Sequence, residues 1–375
     1  MIRPLLIPAK SYPNNFDFLR LILAVSVIFC HCFAILYGYE KFMHTEPFMV
    51  WSNQQISIGS VAVDLFFIIS GFLIVKSFEN SESTVAYFKK RILRIYPGFT
   101  VAFLFSIFLI GFFGSGMAYN LQGYHSYFSN LYKKQELVHL FTLQGPYQRI
   151  FFKDSPEPGV NDSLWTIQFE FICYLLVPLW AGLKLLKNKW FFMLAFIVTF
   201  IVYYLQLKGY IFPYKERTNL FFGNVYNLPR FIMYFLSGAL FYVYKNVIVR
   251  SNLLAIAAVF FLVLSFVWLK HIDQILPLAG GYLIFYIVFN PAIKAENFAK
   301  YGDLSYGIYL YGWPVQAAVM YFLKDSINPY SFFLIAVTIA AMMAFLSWHI
   351  VEKAFLKIKR NEENNQPGYC LIIPL

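Results

Sequence analysis

The feature that most constrains this chain is the recurrence of apolar segments long enough to cross a lipid bilayer. A helix rises about 1.5 Å per residue and needs about 20 predominantly apolar residues to cross the hydrocarbon. Such segments occur at residues 16–36, 58–76, 98–114, 164–182, 190–207, 228–245, 252–270, 274–293, 304–323 and 331–352. The pattern predicts an all-α fold, a polytopic bundle of about ten transmembrane helices.

The composition favours a lipid environment over water. Of 375 residues, 59% are hydrophobic and only 13% are charged, so polar surface is too scarce to cover a large soluble domain. Aromatic residues reach 21%, an excess typical of lipid-embedded cores and membrane interfaces. The net charge of +11 comes from basic residues at the ends of apolar segments. We therefore expect membrane lipids, and not nucleic acid, as partners.

The distribution of Lys and Arg predicts the orientation of the bundle. An even number of spans puts both termini on one side, and the loops on that side are the richer in Lys and Arg, as in KKRILR and the closing KIKR. Both termini are therefore predicted to be cytoplasmic. We expect a single transmembrane domain at 1–360 and a cytoplasmic tail at 361–375. Long outer loops are expected at 115–163 and 208–227, with an interfacial helix near 132–143.

Arg20 and His31 are ionisable residues in the first apolar segment, where a charge at mid-helix costs at least about 2.5–3.5 kcal/mol. At about 100° per residue, their spacing returns them to within about 20° of the same helix face, about 16 Å apart along the axis. Both are expected to face one cavity, with Arg20 near the cytoplasmic edge. His31 is a candidate catalytic base. The alternative is a hydrogen bond from His31 to a neighbouring helix.

Asp64 lies in the second apolar segment, at a depth comparable with that of His31. A carboxylate that accepts the proton of one imidazole nitrogen fixes the tautomer and leaves the other nitrogen as a base. Asp64 is therefore predicted to orient His31. The alternative is a structural ion pair between Asp64 and Arg20 or another cation.

Glu170 and Arg230 are predicted to lie in the outer half of the membrane and to line the same chamber. A glutamate can accept hydrogen bonds from substrate hydroxyls, and an arginine can hold a hydroxyl or a developing oxyanion. Both are candidate substrate-binding residues. The alternative is a buried salt bridge between the two.

Arg91 and Arg94 are spaced three residues apart, immediately before Pro97, at the predicted cytoplasmic face. Two guanidinium groups at this spacing are neighbours on a helix surface and can clamp phosphates. The alternative is ordinary anchoring by positive charges on the cytoplasmic side. The sequence contains no metal-ligand cluster and no Gly-rich phosphate loop, so no metal cofactor is expected.

Seven stretches, taken together and in order, resemble the acyltransferase 3 family of bacterial membrane O-acyltransferases. They are FDFLRLILAVSVIFCH, VAVDLFFIISGFLI, RILRIYP, SLWTIQFEFICYLL, RFIMYFLSG, YGDLSYGIYLYGWPV and VEK. The resemblance covers nearly the whole chain. It implies a multi-pass protein of the bacterial cytoplasmic (inner) membrane that transfers an acetyl group from acetyl-coenzyme A to sugars of lipopolysaccharide, capsule or other envelope glycans.

The resemblance also implies roles for particular residues. Arg20 and His31 correspond to the pair on which activity in the family depends. The family's paired arginines and two acids correspond to Arg91, Arg94, Glu170 and Glu352. One position departs from the pattern, because members often have a histidine before the Trp-Pro of the ninth segment and this chain has Gly312. A role for that histidine therefore cannot be transferred.

Together these features predict an O-acetyltransferase whose donor is cytoplasmic acetyl-coenzyme A and whose acceptor is a hydroxyl of an envelope glycan, lipid-linked or not. His31 would act as a general base or as a covalent acyl relay. An alternative is a transporter of glycan or lipid-linked sugar, because a polar seam through a bundle also suits a permeation path. Two further alternatives are a membrane scaffold with structural charges and transfer of another small acyl group such as succinyl.

Overall fold

The computed structural model is a bundle of helices with a short two-stranded ribbon. It describes residues 3–4, 15–114, 120–133, 136–146, 156–212, 221–295, 302–323 and 326–356. The helices are α1 (Phe16–Thr45), α2 (Pro47–Trp51), α3 (Ile58–Glu79), α4 (Thr84–Leu104), α5 (Phe112–Gly114), α6 (Leu121–Lys133), α7 (Glu136–Thr142), α8 (Ile167–Gly182), α9 (Lys189–Leu207), α10 (Leu228–Val243), α11 (Asn252–Leu264), α12 (Ile272–Val288), α13 (Leu304–Leu323) and α14 (Pro329–Ser347).

Several helices are extended by segments of other helical types. A π-helix at Phe105–Gly111 joins α4 to α5, and π-helices at Ser265–Leu269 and Trp348–Glu352 continue α11 and α14. A 3₁₀-helix at Asp162–Thr166 leads into α8. These joins make long continuous helices out of shorter pieces.

The all-α transmembrane class predicted from the sequence is confirmed. Each of the ten predicted segments overlaps a helix. Within the described part of the chain, seven continuous helices are long and apolar enough to cross a membrane: Phe16–Trp51, Ile58–Glu79, Thr84–Gly114, Asp162–Gly182, Lys189–Leu207, Asn252–Leu269 and Pro329–Leu356. The number of spans and the cytoplasmic position of both termini stay predictions, and the predicted tail at 361–375 lies outside the described residues.

The third membrane helix begins earlier than the apolar pattern predicts. The prediction places its start at residue 98, whereas α4 begins at Thr84, after Ser83, whose hydroxyl accepts a hydrogen bond from the backbone N–H of Ala86. The charges of KKRILR lower hydropathy but do not oppose helix formation, so the helix extends ahead of its apolar part. The predicted interfacial helix near 132–143 overlaps the end of α6 and all of α7.

Helices α3 and α10 make a close contact that depends on glycine. A Cβ on Gly71 would lie 1.9 Å from the carbonyl oxygen of Phe235, and a Cβ on Gly238 would lie 1.8 Å from that of Ile68. Neither position can therefore carry a side chain without separating the helices. Small residues allow such backbone contact in membrane helix pairs, where van der Waals packing is a main driving force. The two helices carry Asp64 and Arg230, respectively.

Helices α1 and α13 pack side by side in the same direction. Arg20 faces Asp303 at the start of α13. Further along, Ile28 lies against Gly312, and the side-chain amide of Gln316 donates hydrogen bonds to the Ile28 carbonyl and to Sγ of Cys32. The pair therefore runs as a parallel spine from the Arg20 end of the bundle to the His31 level.

A two-residue ribbon ties the N-terminal segment to the connection between α10 and α11. Strand β1 (Arg3–Pro4) pairs antiparallel with β2 (Val249–Arg250). The pairing brings residues 3 and 250 to the same end of the bundle, as expected for two segments that the sequence assigns to one side of the membrane.

Candidate active site

Two arginines from different helices contact one carboxylate at the Arg20 end of the spine formed by α1 and α13. Nη1 of Arg20 on α1 lies 3.0 Å from Oδ2 of Asp303, and Nη2 of Arg94 on α4 donates to the same oxygen. Asp303 is only 13% exposed. The shared carboxylate therefore fixes α1, α4 and the start of α13 relative to one another.

Arg94 is also bound from the opposite side. Its Nη1 lies 3.4 Å from Oε2 of Glu352, which is 3% exposed, and the other Glu352 oxygen accepts a hydrogen bond from Ser347. The guanidinium lies 5.4 Å from the ring centroid of Tyr306 and 6.0 Å from that of Trp348. Arg94 is thus enclosed by two carboxylates and two aromatic rings, and the charge of Asp17 on α1 also interacts with this group.

Asp303 has a second role as the N-cap of α13. Its Oδ1 accepts hydrogen bonds from the backbone N–H and the hydroxyl of Ser305, which satisfies donors at the start of the helix. Burial alone would raise the pKa of Asp303, but the positive charges of Arg20 and Arg94 outweigh it and hold that pKa below its ordinary value. Asp303 is therefore ionised at any physiological pH.

Arg91 and Arg94 have different partners, and their joint binding of phosphates stays a prediction. They are about 60° apart around α4, and Arg91 donates to the hydroxyl of Ser77 at 2.8 Å. Its guanidinium lies 5.9 Å from the Tyr87 ring and 5.8 Å from the Tyr174 ring, and its buried Nε has no hydrogen-bond partner. The described contacts of Arg91 are thus with uncharged residues, whereas Arg94 forms ion pairs with Asp303 and Glu352.

A cavity lies beside the spine, between α1, α3, α8 and α13. It measures about 50 Å³, which is room for only a few water molecules. Its polar lining residues are Arg20, Ser70, Thr166, Glu170, Ser305, Tyr306 and Tyr309. The structure thus brings together Arg20 and Glu170, two of the residues singled out in the sequence. His31 is not among the lining residues.

Glu170 and Arg230 do not pair with each other. Oε1 of Glu170 accepts a hydrogen bond from the hydroxyl of Tyr174, one turn along α8. Arg230 instead binds Asp64 on α3. The alternative of a mutual salt bridge between Glu170 and Arg230 is therefore wrong, and the two residues belong to separate polar groups.

Asp64 is bound by Arg230 and not by His31. Nε and Nη2 of Arg230 each donate to one Asp64 oxygen at 2.9 Å, and the Asp64 side chain is fully buried. The predicted pairing of Asp64 with His31 is therefore wrong, and the alternative of an ion pair with another cation is right. The reason is packing, because the glycine contact between α3 and α10 brings Arg230 to Asp64.

His31 lies on α1 among aromatic and apolar neighbours. Its ring centroid is 4.8 Å from that of Trp313 on α13, with the planes at 75° to each other. The alternative reading from the sequence required a hydrogen bond to a neighbouring helix. Among the described residues, neither ring nitrogen of His31 has a hydrogen-bond partner. The imidazole is thus held by ring packing, and its nitrogens are available to a bound molecule.

Two residues of the site, Asp303 and Trp313, have no role predicted from the sequence. Both lie in the stretch YGDLSYGIYLYGWPV. An acid at the start of a membrane helix, on the side richest in arginine, was the available signal for Asp303. No sequence signal connected Trp313 with His31, because their contact depends on the register between α1 and α13.

Comparison with known proteins decides the family. Residues 14–352 match the acyltransferase 3 family, described as an acyltransferase domain. The chain belongs to this family. It is 31% identical over 350 residues to an O-acetyl transferase of Shigella phage Sf6, which covers 92% of this chain and 96% of that protein. The chain is therefore an acyltransferase, and its apolar helices make it a multi-pass membrane protein.

Two further relatives are more distant. The chain is 22% identical over 373 residues to nodulation protein 10 of Rhizobium leguminosarum bv. viciae, which covers 94% of this chain and 95% of the relative. It is 27% identical over 169 residues to acyltransferase MdmB of Streptomyces mycarofaciens, covering 44% of this chain and 38% of that one. No solved structure matches this acyltransferase significantly.

Gly312, which stands where members of the family often have histidine, packs directly against Ile28 in this acyltransferase. A Cβ at Gly312 would lie 2.9 Å from Cγ1 and 3.1 Å from Cδ1 of Ile28, closer than ordinary packing allows. Ile28 thus occupies the space that a side chain at position 312 would need. A larger residue at position 312 therefore requires the Ile28 side chain to shift or to be replaced by a smaller one.

Proposed function

We propose that this acyltransferase is an O-acetyltransferase of the bacterial inner membrane that transfers an acetyl group from cytoplasmic acetyl-coenzyme A to a hydroxyl of an envelope glycan, such as O-antigen, capsule or exopolysaccharide. The observation that carries the proposal is His31, a partly buried imidazole whose nitrogens have no described partner, on the same helix as Arg20. The similarity to an O-acetyl transferase supports acetyl as the transferred group.

Arg91 is the better candidate for binding the phosphates of the donor. It has no carboxylate partner among the described residues, its Nε is unpartnered, and Tyr87 and Tyr174 flank it. A guanidinium group without a carboxylate partner can bind a phosphate without first breaking an ion pair. Arg94, already matched by Asp303 and Glu352, is assigned to holding the helices in place.

The cavity beside Arg20 is proposed as the first part of the route by which the acyl group reaches His31, which does not itself line the cavity. At about 50 Å³ it is too small for the arm of a coenzyme, so donor binding requires the lining helices to separate. Glu170 lies in the same lining and is proposed to accept a hydrogen bond from an acceptor hydroxyl. Arg230 uses Nε and Nη2 for Asp64, which leaves Nη1 for an acceptor oxygen.

His31 can perform the transfer in either of two ways. As a base, it takes the proton of the sugar hydroxyl while the oxygen attacks the thioester carbonyl; the C–S bond breaks, and the leaving thiolate receives that proton. As a relay, a ring nitrogen attacks the thioester first, the C–S bond breaks, and the thiolate leaves an acetylimidazolium behind. The sugar oxygen then attacks the acetyl carbon, the C–N bond breaks, and the hydroxyl proton goes to the thiolate. Both routes end with an acetyl ester, a free thiol and neutral His31.

Rapid-quench labelling distinguishes the two routes. Wild type and His31→Ala are mixed with acetyl-labelled coenzyme A without acceptor, quenched and separated from free donor. Protein-bound acetyl on wild type alone supports the relay. Its absence from wild type, in a preparation that acetylates glycan once acceptor is added, supports general-base catalysis.

The proposed function is tested with membrane vesicles and acetyl-labelled coenzyme A, with surface glycan from a deletion strain as acceptor. We expect wild type to label the glycan and release free thiol, and His31→Gln to do neither at equal abundance. Labelling by succinyl-coenzyme A alone would reject acetyl as the group. Movement of glycan across the membrane without thioester consumption would reject the proposed enzymatic function in favour of transport.

A further inference from the structure

His31 has one aromatic neighbour whose own position is fixed by a hydrogen bond. Trp313 contacts His31 edge to face, and its Nε1–H donates to the carbonyl oxygen of Gly159 at 2.8 Å. Trp313 is 6% exposed and so is not itself a surface for binding a sugar. Its indole is therefore held between the candidate base and the segment that precedes α8.

That segment, residues 159–166, is bound to α13 along its length. The side-chain amide of Asn161, fully buried, donates to the carbonyl oxygen of Leu310 and to the hydroxyl of Ser106, both at 3.0 Å. Ser163 donates to Oδ1 of Asn161 and to the carbonyl oxygen of Tyr309. These bonds involve buried polar groups, which are costly to leave unpaired.

The same segment belongs partly to the stretch predicted as an outer loop, but its contacts with Tyr309 and Leu310 place it inside the bundle. Its 3₁₀-helix leads directly into α8, and Thr166 at its end lines the cavity together with Arg20 and Glu170. The hydroxyls of Thr166 and Tyr309 are within hydrogen-bonding distance of each other. One continuous set of contacts thus joins the cavity wall, the 159–166 segment and Trp313.

We propose that Trp313 is a positioning residue for the transfer reaction, with the 159–166 segment as its support. This inference rests on the proposed function of His31. The imidazole has no described hydrogen-bond partner to fix its ring, so the edge-to-face contact with Trp313 sets its orientation. The Gly159 bond and the Asn161 bonds keep Trp313 at the angle that aims a nitrogen of His31 at the reacting acyl group.

The test compares Trp313→Phe, Trp313→Leu and Asn161→Ala in vesicles, with acetyl-coenzyme A as donor and surface glycan of a deletion strain as acceptor. Rates are normalised to folded protein. Because small misplacements of a reacting group can cost about 100-fold, we expect Trp313→Leu to lower kcat about 30–100-fold and change the KM for acetyl-coenzyme A less than about twofold. Trp313→Phe keeps an aromatic ring but loses the hydrogen bond to Gly159, so its kcat should fall about 3–10-fold. Asn161→Ala should lower kcat by a similar factor.

Trp180→Leu is the matched control, since Trp180 is 9% exposed and packs on Phe191, Phe192 and Phe235 away from His31. We expect it to lower thermal stability as much as Trp313→Leu while keeping kcat. Equal kcat values for Trp313→Leu and Trp180→Leu would overturn the inference, as would loss in KM alone. An inactive wild type would instead contradict the proposed function, so the two failures are distinguishable.

Discussion

Replacing Arg94 with methionine should destabilise this acyltransferase by breaking the ion pairs at the Arg20 end of the spine. The substitution removes the partner of Glu352, which is 3% exposed and then keeps only its hydrogen bond with Ser347. Leaving a buried charge uncompensated costs about 3–5 kcal/mol. Since the Arg94 side chain is 20% exposed, we take the lower end, about 3 kcal/mol. At about 2 °C per kcal/mol for a chain of this size, the expected loss in apparent Tm is about 6 °C.

The assay is thermal unfolding of detergent-solubilised protein, followed by intrinsic tryptophan fluorescence. Arg94→Met with Glu352→Met removes both charges, leaves Asp303 paired with Arg20, and should recover to within about 2 °C of wild type. Arg91→Met is the control: it loses only neutral partners, so its Tm should fall by about 2 °C or less, while its KM for acetyl-coenzyme A rises. A single Arg94→Met variant as stable as wild type, or a double variant no better than the single one, would refute the reasoning.

Three further predictions concern other contacts. Asp64→Ala should lower the apparent Tm more than Asp64→Ala combined with Arg230→Met, because the single change leaves a partly buried guanidinium without its hydrogen-bonded acid. Equal losses would contradict the ion pair. The Tm difference between wild type and Asp303→Asn should stay constant from pH 8 to about pH 5 and shrink only below about pH 4. The reason is that the lowered pKa of Asp303 keeps its ion pairs intact until the carboxylate protonates. A Tm difference that closes between about pH 7 and pH 5 would contradict this. Gly312→His should lower folded protein in membranes, and adding Ile28→Ala should restore it; an unimpaired single variant would show that the position is open.

The sequence predicted the helices well because their signal is local. Long apolar segments are read from hydropathy alone, and each of the ten overlaps a helix. The start of α4 was missed because the charges of KKRILR hide a helix that continues beyond the hydrocarbon. Helical periodicity predicted that Arg20 and His31 share a face of α1, and both contact residues of the α13 region. The prediction that both face one cavity is not met, because His31 does not line the cavity beside Arg20.

The partners of the ionisable residues could not be read from the sequence. Depth in the membrane follows from position along a helix, so Asp64 was placed at the level of His31, but depth does not say which helix lies beside α3. The glycine contact places α10 beside α3, and Asp64 therefore pairs with Arg230. In the same way, the register between α1 and α13 is a long-range property, so the roles of Asp303 and Trp313 became visible only in the structure.

The central claim is that His31 performs acetyl transfer to an envelope glycan. The most direct measurement is the acetate released by mild alkali from purified surface glycan of a deletion strain that carries either wild type or His31→Ala at matched membrane abundance. We predict that wild type restores alkali-labile acetate and that His31→Ala leaves it at the level of the deletion strain. Equal acetate from both proteins would remove His31 from the chemistry and contradict the account.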